Sequence, residues 1–220
     1  IRDRYNALHD ADDEVVVING DVLFDVDVRA AIAAHRAHDA FATMVVRPDP
    51  RAEAMGAVRV SADGRVRMIA GKPDVRAEGT EAFAFSGVHV LSRRALRALP
   101  EEGCIVRRGY HRWLEAGERV LGVVDGGRWA DLGTHAAYLE ANVALATGGW
   151  SWPGITHDIR GIVHETARVK EASITASVVG DEAIVDPGVS LERCVVWPNA
   201  HVATSARDAI ITPFGIVAVG

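Results

Sequence analysis

Residues 14–27, EVVVINGDVLFDVD, decide how the rest of the chain is read. Val15, Val16, Val17 and Ile18 form a short unbroken run of β-branched residues. Such a run has no polar face, so it reads as a strand covered on both sides, as in an α/β sheet. Val28, Ala31, Ile32 and His35 then fall at i, i+3, i+4 and i+7, the pattern of a helix behind an Asp27 N-cap. Between strand and helix stands Asn19-Gly20-Asp21. Open α/β sheets bind ligands beyond the carboxyl ends of their strands, where Asp21 projects, and Gly20 lets a ligand approach the backbone. A carboxylate there suits Mg2+, which takes one or two protein oxygens plus substrate phosphates. It equally suits a turn cap, since aspartate is a common turn residue.

A second stretch, residues 128–135 (RWADLGTH), leads into a helical pattern with Tyr138, Ala141 and Leu145 on one face. Thr134 can cap that helix and Gly148-Gly149 ends it. NGD followed far downstream by W-x-D-x-G-T-H resembles the sugar-1-phosphate nucleotidyltransferases, of the mannose-1-phosphate guanylyltransferase or glucose-1-phosphate thymidylyltransferase kind. Gly56 in MGAVRV, Gly71-Lys72-Pro73 after RVRMIA, and Phe85-Ser86-Gly87-Val88 follow in the same order. NGD alone is weak; the ordered set is strong.

The resemblance implies transfer of a nucleotidyl group from a nucleoside triphosphate to a sugar 1-phosphate, with Mg2+ held by Asp21 and Asp131. Lys72 would meet the sugar phosphate, while Gly20, Gly56, Ser86, Gly87 and Trp129 would line the substrate site. Trp129 reads as well as plain core, and Gly56 and Gly87 as turn glycines. Where the family carries a glutamate before its lysine, this chain has Gly71, which bears on the sugar accepted. The family also opens with a first strand and a G-x-G-T-R loop. Neither occurs in these 220 residues, so the domain is expected to be incomplete at its N-terminus and the chain alone inactive.

Composition agrees with a soluble globular protein. Apolar residues make up 49% and charged residues 25%. With 24 Lys and Arg against 30 Asp and Glu, the net charge of −6 argues against nucleic acid as a partner. No apolar run approaches the ~20 residues of a membrane span. Cys104 and Cys194 stand alone, as in a reduced, cytoplasmic setting.

The remaining elements read in order as a strand at 41–46, a hairpin of 57–60 and 65–69 around Asp63-Gly64, and a long strand at 83–91. A helix capped by Ser92, a helix over 108–116 and a strand at 119–124 follow. After a linker at 148–154 the pattern changes. An x-x-Ala-x-Val motif recurs at Ala167, Ala183 and Ala200, and Val179, Val185, Leu191 and Trp197 fall six apart. This is a hexapeptide repeat, similar to the left-handed parallel β-helix appended to several sugar nucleotidyltransferases. The expected architecture is a Rossmann-like α/β transferase domain over 1–147 and a short β-helix over 155–220, with self-association through the β-helix. Two other functions are compatible with the residues: a non-catalytic relative that binds nucleotide sugars, and a hexapeptide-repeat acyltransferase.

Overall fold

The apolar run that begins the described chain finds its partner far downstream. In the computed structural model, which describes residues 14–73, 78–151 and 161–219, β1 (Val15–Ile18) pairs antiparallel with the end of β6 (Thr80–Leu91). Val15 stands opposite Leu91 and Ile18 opposite Val88. Residues 1–8 read from their sequence as the end of a helix and 11–14 as an acidic turn; the helix and most of the turn lie outside the described residues. Contacts divide the chain into two compact units, Ile1–Trp129 and Ala130–Gly220.

In the first unit β1 is followed by a short strand β2 (Val22–Phe24) and helix α1 (Val28–Ala37), whose Asp27 cap accepts from the Ala30 amide at 2.9 Å. Then come β3 (Ala42–Arg47), the hairpin β4 (Val58–Ser61) and β5 (Val66–Ile69), β6, and helix α2 (Arg93–Arg97). A π-helical turn (Ile105–Tyr110) runs into α3 (His111–Glu115), and β7 (Val120–Val124) closes the set. The sheet order is β5-β4-β6-β3-β7, with β1 also on β6. Among the described residues of this sheet only β3 and β7 pair in parallel, so the sheet is mixed, as expected.

Both Val15 and Ala42 pair with Leu91, so β1 and β3 lie on opposite edges of β6. Both faces of β1 are covered, as expected: Val15 and Val17 pack against one core cluster and Val16 against another. Among the described residues it pairs with β6 alone, its valines are half-buried, and Ile18 is 45% exposed. An apolar run reports burial of faces, not of the strand's second edge.

Alternation along the strands splits the core. Met44, Val46, Val58 and Leu91 point to one face, against Tyr110, Trp113 and Leu96; Val45, Val88 and Val90 point to the other, against Ala31 of α1. The first face holds a buried polar pair. His89 and Tyr110 share a hydrogen bond of 2.9 Å, and the Tyr110 hydroxyl donates to the Thr43 carbonyl at 3.4 Å. Trp113 packs edge-on to Tyr110 with ring centres 4.9 Å apart.

β8 (Trp129–Asp131) straddles the boundary and gives way to α4 (His135–Ala146) of the second unit, capped by Thr134 as read from the sequence. Beyond it, nine short strands β9 to β17 run from Gly161 to Ala218. Ile162, Val178, Val195 and Ile210 stack in parallel register, one per coil, spaced 16, 17 and 15 residues apart. Ile184 stacks likewise between Arg168 and His201. These are stacked coils of a parallel β-helix, with Ala183, Ala200, Val185, Val202 and Leu191 filling the interior as the repeat requires. Trp197 breaks the six-residue rule: it is 43% exposed and faces outward just before Pro198.

The sequence places α4 with the transferase domain and ends that domain at 147. Its packing belongs to the coils: Leu139 and Val143 bury against Val195, beside Ala176 and Val178, and Glu140 pairs with Arg193. The expected inner face (Tyr138, Ala141, Leu145) is revised, because Leu139, Ala141, Val143 and Ala146 are the buried residues. HAAYLEANVALA is apolar nearly all round, so its period could not select a face. The expected linker at 148–154 runs partly into residues outside the described ones.

Burial holds the His89 imidazole down to about 4, far below an ordinary histidine. The unfolded chain therefore takes up a proton at pH values where the folded chain does not. Stability from this residue is complete above about pH 6.5 and is lost as pH falls towards about 4, on the order of 2 kcal/mol by pH 5. Burial shifts His35 in the same direction. Urea unfolding followed by Trp113 near-ultraviolet dichroism should show this slope, and His89→Gln should remove more than half of it.

Candidate active site

Since β1 and β3 are both antiparallel to β6, and β7 is parallel to β3, the carboxyl ends of β1, β3 and β7 lie at one end of the sheet. Asn19-Gly20-Asp21 follows β1, Arg47 ends β3, and residues 125–129 follow β7. These are the strand ends at which α/β sheets place ligands.

What joins them is an irregularity in β6. Met44 pairs with His89 but Val46 pairs with Phe85, so Ser86, Gly87 and Val88 stand opposite Val45 alone. The Val45 carbonyl, left without a ladder partner, accepts the Ser86 hydroxyl at 2.7 Å. The Gly87 carbonyl accepts the Asn19 amide at 2.9 Å, and the Ser86 carbonyl accepts the Trp129 indole N–H at 2.7 Å. Gly87 has φ +87°, and a Cβ there would stand 3.1 Å from Asn19 Cβ and 3.2 Å from Val22 Cγ1. Glycine is therefore demanded by the chain's own approach. Gly20, by contrast, has open space around it and Asp21 is exposed.

The loops after β1 and β7 are laced together. The Asp25 amide donates to the Arg128 carbonyl (3.1 Å), and Arg128 Nε donates to Asp25 Oδ2 (2.7 Å). Asp125 accepts the Gly127 amide (2.7 Å) and the Asp27 amide (3.3 Å). The Arg128 guanidinium holds the Asp25 carboxyl below the usual carboxylate range. Arg47 Nη1 donates to the Gly127 carbonyl (3.0 Å), and its guanidinium lies 5.4 Å from the Trp129 ring centre. Arg47, Asp25, Asp125 and Arg128 were not singled out in the sequence. The visible signals were a charged residue ending an apolar strand and the Gly-Gly-Arg-Trp run.

The other predicted residues fall as follows. β4 begins opposite Phe83, on the edge of β6 that also carries β1. About 16 Å of β6 edge, five residues of strand, therefore separates Val58 from Ile18. Gly56 and Asp21 flank that gap from its two ends. A Cβ on Gly56 would meet Ala70 Cβ at 3.2 Å, and the Ala70 amide donates to the Ala57 carbonyl, which ties the Gly56 turn to Gly71-Lys72. Lys72 is exposed on a tight turn closed by two hydrogen bonds with Ile69 and precedes a cis bond to Pro73.

Ser86 is turned inward, 1% exposed with its hydroxyl engaged, so it offers the site only its backbone. Trp129 is half-buried and its indole N–H is already used. Asp131, in the second unit, is exposed, and its Oδ1 accepts the Gly133 amide at 2.8 Å. Among the described residues no three or more His, Cys, Asp or Glu cluster as a self-sufficient metal site, and no helix is long and apolar enough to cross a membrane.

Residues 1–148 match the family model described as nucleotidyl transferase. A mannose-1-phosphate guanylyltransferase of Mycobacterium tuberculosis is 29% identical across 86% of this chain and 54% of its own length. The small subunit of a chloroplastic/amyloplastic glucose-1-phosphate adenylyltransferase of Triticum aestivum is 26% identical across 94% of this chain and 54% of its own. This chain thus spans about half the length of the curated relatives it matches. A solved Bacillus anthracis structure, provisionally assigned as a glucose-1-phosphate thymidylyltransferase, aligns at 20% identity with a TM-score of 0.45, over 60% of this chain and 54% of its own.

The two glycines of the site should respond oppositely to alanine. Gly87→Ala must hold a side chain at positive φ against Asn19, at a cost of about 2 kcal/mol or more. Gly20→Ala meets nothing and should stay within about 0.5 kcal/mol of the parent. Urea unfolding midpoints compare the two, and equal effects would contradict the bulge geometry.

Proposed function

The chain belongs to the nucleotidyl transferase family, and from that premise we propose that it serves the transfer of a nucleotidyl group from a nucleoside triphosphate to a sugar 1-phosphate, forming a nucleotide sugar and pyrophosphate. The observation that carries the reading is Asp21. Its exposed carboxylate makes no hydrogen bond or ion pair among the described residues and stands at the carboxyl end of β1 beside the open space at Gly20. An unengaged carboxylate at that position is a donor awaiting a ligand.

Asp21 and Asp131 are the proposed Mg2+ ligands. Both are exposed oxygen donors of the kind this hard cation takes, and Asp131 keeps one oxygen beyond its bond to Gly133. When bound, Mg2+ offsets phosphate charge in the in-line displacement. The local charge supports a metal-dependent reading. Asp21, Asp25, Asp27 and Asp125 outnumber Arg47 and Arg128 near the strand ends, so a bare polyphosphate is repelled there. Lys72, an exposed ammonium, is proposed to receive the sugar phosphate. Gly56 and Gly87 offer backbone only. Gly71, at φ +76° with open space around it, leaves room where relatives of this kind carry a glutamate, and a larger or differently substituted sugar would fit that room.

The alternative of a non-catalytic nucleotide-sugar binder rests on Gly71. A cytoplasmic setting and self-association through the β-helix belong to the same proposal.

Pyrophosphate release should be measured over a panel of nucleoside triphosphates and sugar 1-phosphates, on these 220 residues and on any longer encoded chain that contains them. In a chain that turns over, Asp21→Asn and Asp131→Asn should each lower kcat by roughly a hundredfold or more with little change in KM. Normal turnover of either variant at saturating Mg2+ would remove it from the metal site. Lys72→Ala should raise KM for the sugar phosphate by about tenfold or more, the loss of a charge-assisted hydrogen bond. A defect confined to the nucleotide titration would misplace the lysine.

A further inference from the structure

A half-buried guanidinium that none of the motifs includes stands under the segment leading to Asp131. Arg47 ends β3. Its Nη1 donates to the Gly127 carbonyl at 3.0 Å, and its Cζ stands 5.4 Å from the centre of the Trp129 ring. Its Nε is buried without a hydrogen-bond partner among the described residues. Losing the hydration of one donor costs free energy and must be offset by the remaining contacts. Those contacts go to one place, the loop 125–129.

That loop is tight where Arg47 grips it. A Cβ on Gly127 would fall 2.3 Å from Asp25 Oδ1, so the backbone is pressed against the β1 side while Arg47 holds its carbonyl from the β3 side. Beyond it, Trp129 is anchored at its N–H by Ser86 and covered on its ring by Arg47. A flat guanidinium can lie over an indole and donate along its edge at the same time. A lysine ammonium, a point charge on a flexible stem, cannot do both.

We propose that Arg47 is a positioning residue for nucleotidyl transfer: covering Trp129 and bonded to Gly127, it fixes the 125–129 loop from which the chain runs into Asp131, without itself touching substrate. The catalytic half of this statement rests on the function proposed above; the clamp does not.

The test begins with the 220-residue chain labelled with nitrogen-15, in which Trp129→Phe identifies the Trp129 indole signal. Solvent exchange of that indole N–H should be slow in the parent. Arg47→Met and Arg47→Lys should each speed it by about tenfold, the scale of one lost hydrogen bond. Trp113, buried in the core of the same unit, should keep its exchange rate. An unchanged Trp129 signal overturns the clamp, and so does equal acceleration at Trp113, which would mean general destabilisation. If Arg47→Met fails to fold, Arg47→Lys, which keeps charge and stem, decides alone.

In a chain that turns over, Arg47→Lys should lower kcat about tenfold and leave both KM values within about twofold. A raised KM at unchanged kcat would make Arg47 a substrate contact and overturn the positioning role. Absence of turnover from the parent with every substrate pair would defeat the functional reading, while the exchange experiment would still decide the clamp.

Discussion

Three separate segments are held by the bulge at Ser86-Gly87. One hydroxyl and two carbonyls, spaced over two residues, bind β3 through Val45, the NGD turn through Asn19 and the second motif through Trp129. A regular β6 would have bonded both edges uniformly and left nothing to receive Asn19 and the indole. The bulge gives up ladder pairing at Val45 and offsets the loss with the buried Ser86 hydroxyl. It is also why position 87 is glycine: Asn19 and Val22 occupy the space of a side chain.

Around this bulge the electrostatics are arranged by backbone amides and two arginines. Asp125 is tied by amides of Asp27 and Gly127, and Asp25 by Arg128. These carboxylates are committed to structure, whereas Asp21, close by in sequence, is not. A site that spends most of its acids on loop geometry and leaves one exposed at a strand end separates scaffold from ligand donor. The same economy applies to the aromatic residue of the second motif, whose polar atom serves the fold.

The β-helix solves a different problem. Its strands are too short to be stable singly, and each coil buries its small and branched residues only because the next coil covers them. Non-glycine residues at positive φ, among them Ala176, Arg193 and Asp208, turn the chain at successive coils. Arg193 meets both Asp208 and Glu140, so the corner that carries backbone strain also carries the ion pairs that join α4 to the coils.

Much of this was legible in the sequence, for identifiable reasons. Strands, caps and the coil repeat depend on local periodicity, so Val15–Ile18, the Asp27 and Thr134 caps and the Ala-x-Val ladder could be read directly. The ordered motifs pointed to the family because chemistry fixes residue type at intervals along the chain. Periodicity said nothing where it was absent, as in α4, whose apolar surface runs nearly all round and whose packing partner only the fold selects. Nor could it reveal the second edge of β1 or the outward Trp197, since edge pairing and corner geometry depend on chain far away. Above all, the sequence marked Ser86, Gly87 and Trp129 as residues around a ligand. Only the tertiary structure decided that they first bind one another, because a buried hydroxyl, a lone carbonyl and an indole N–H must be paired before any substrate arrives.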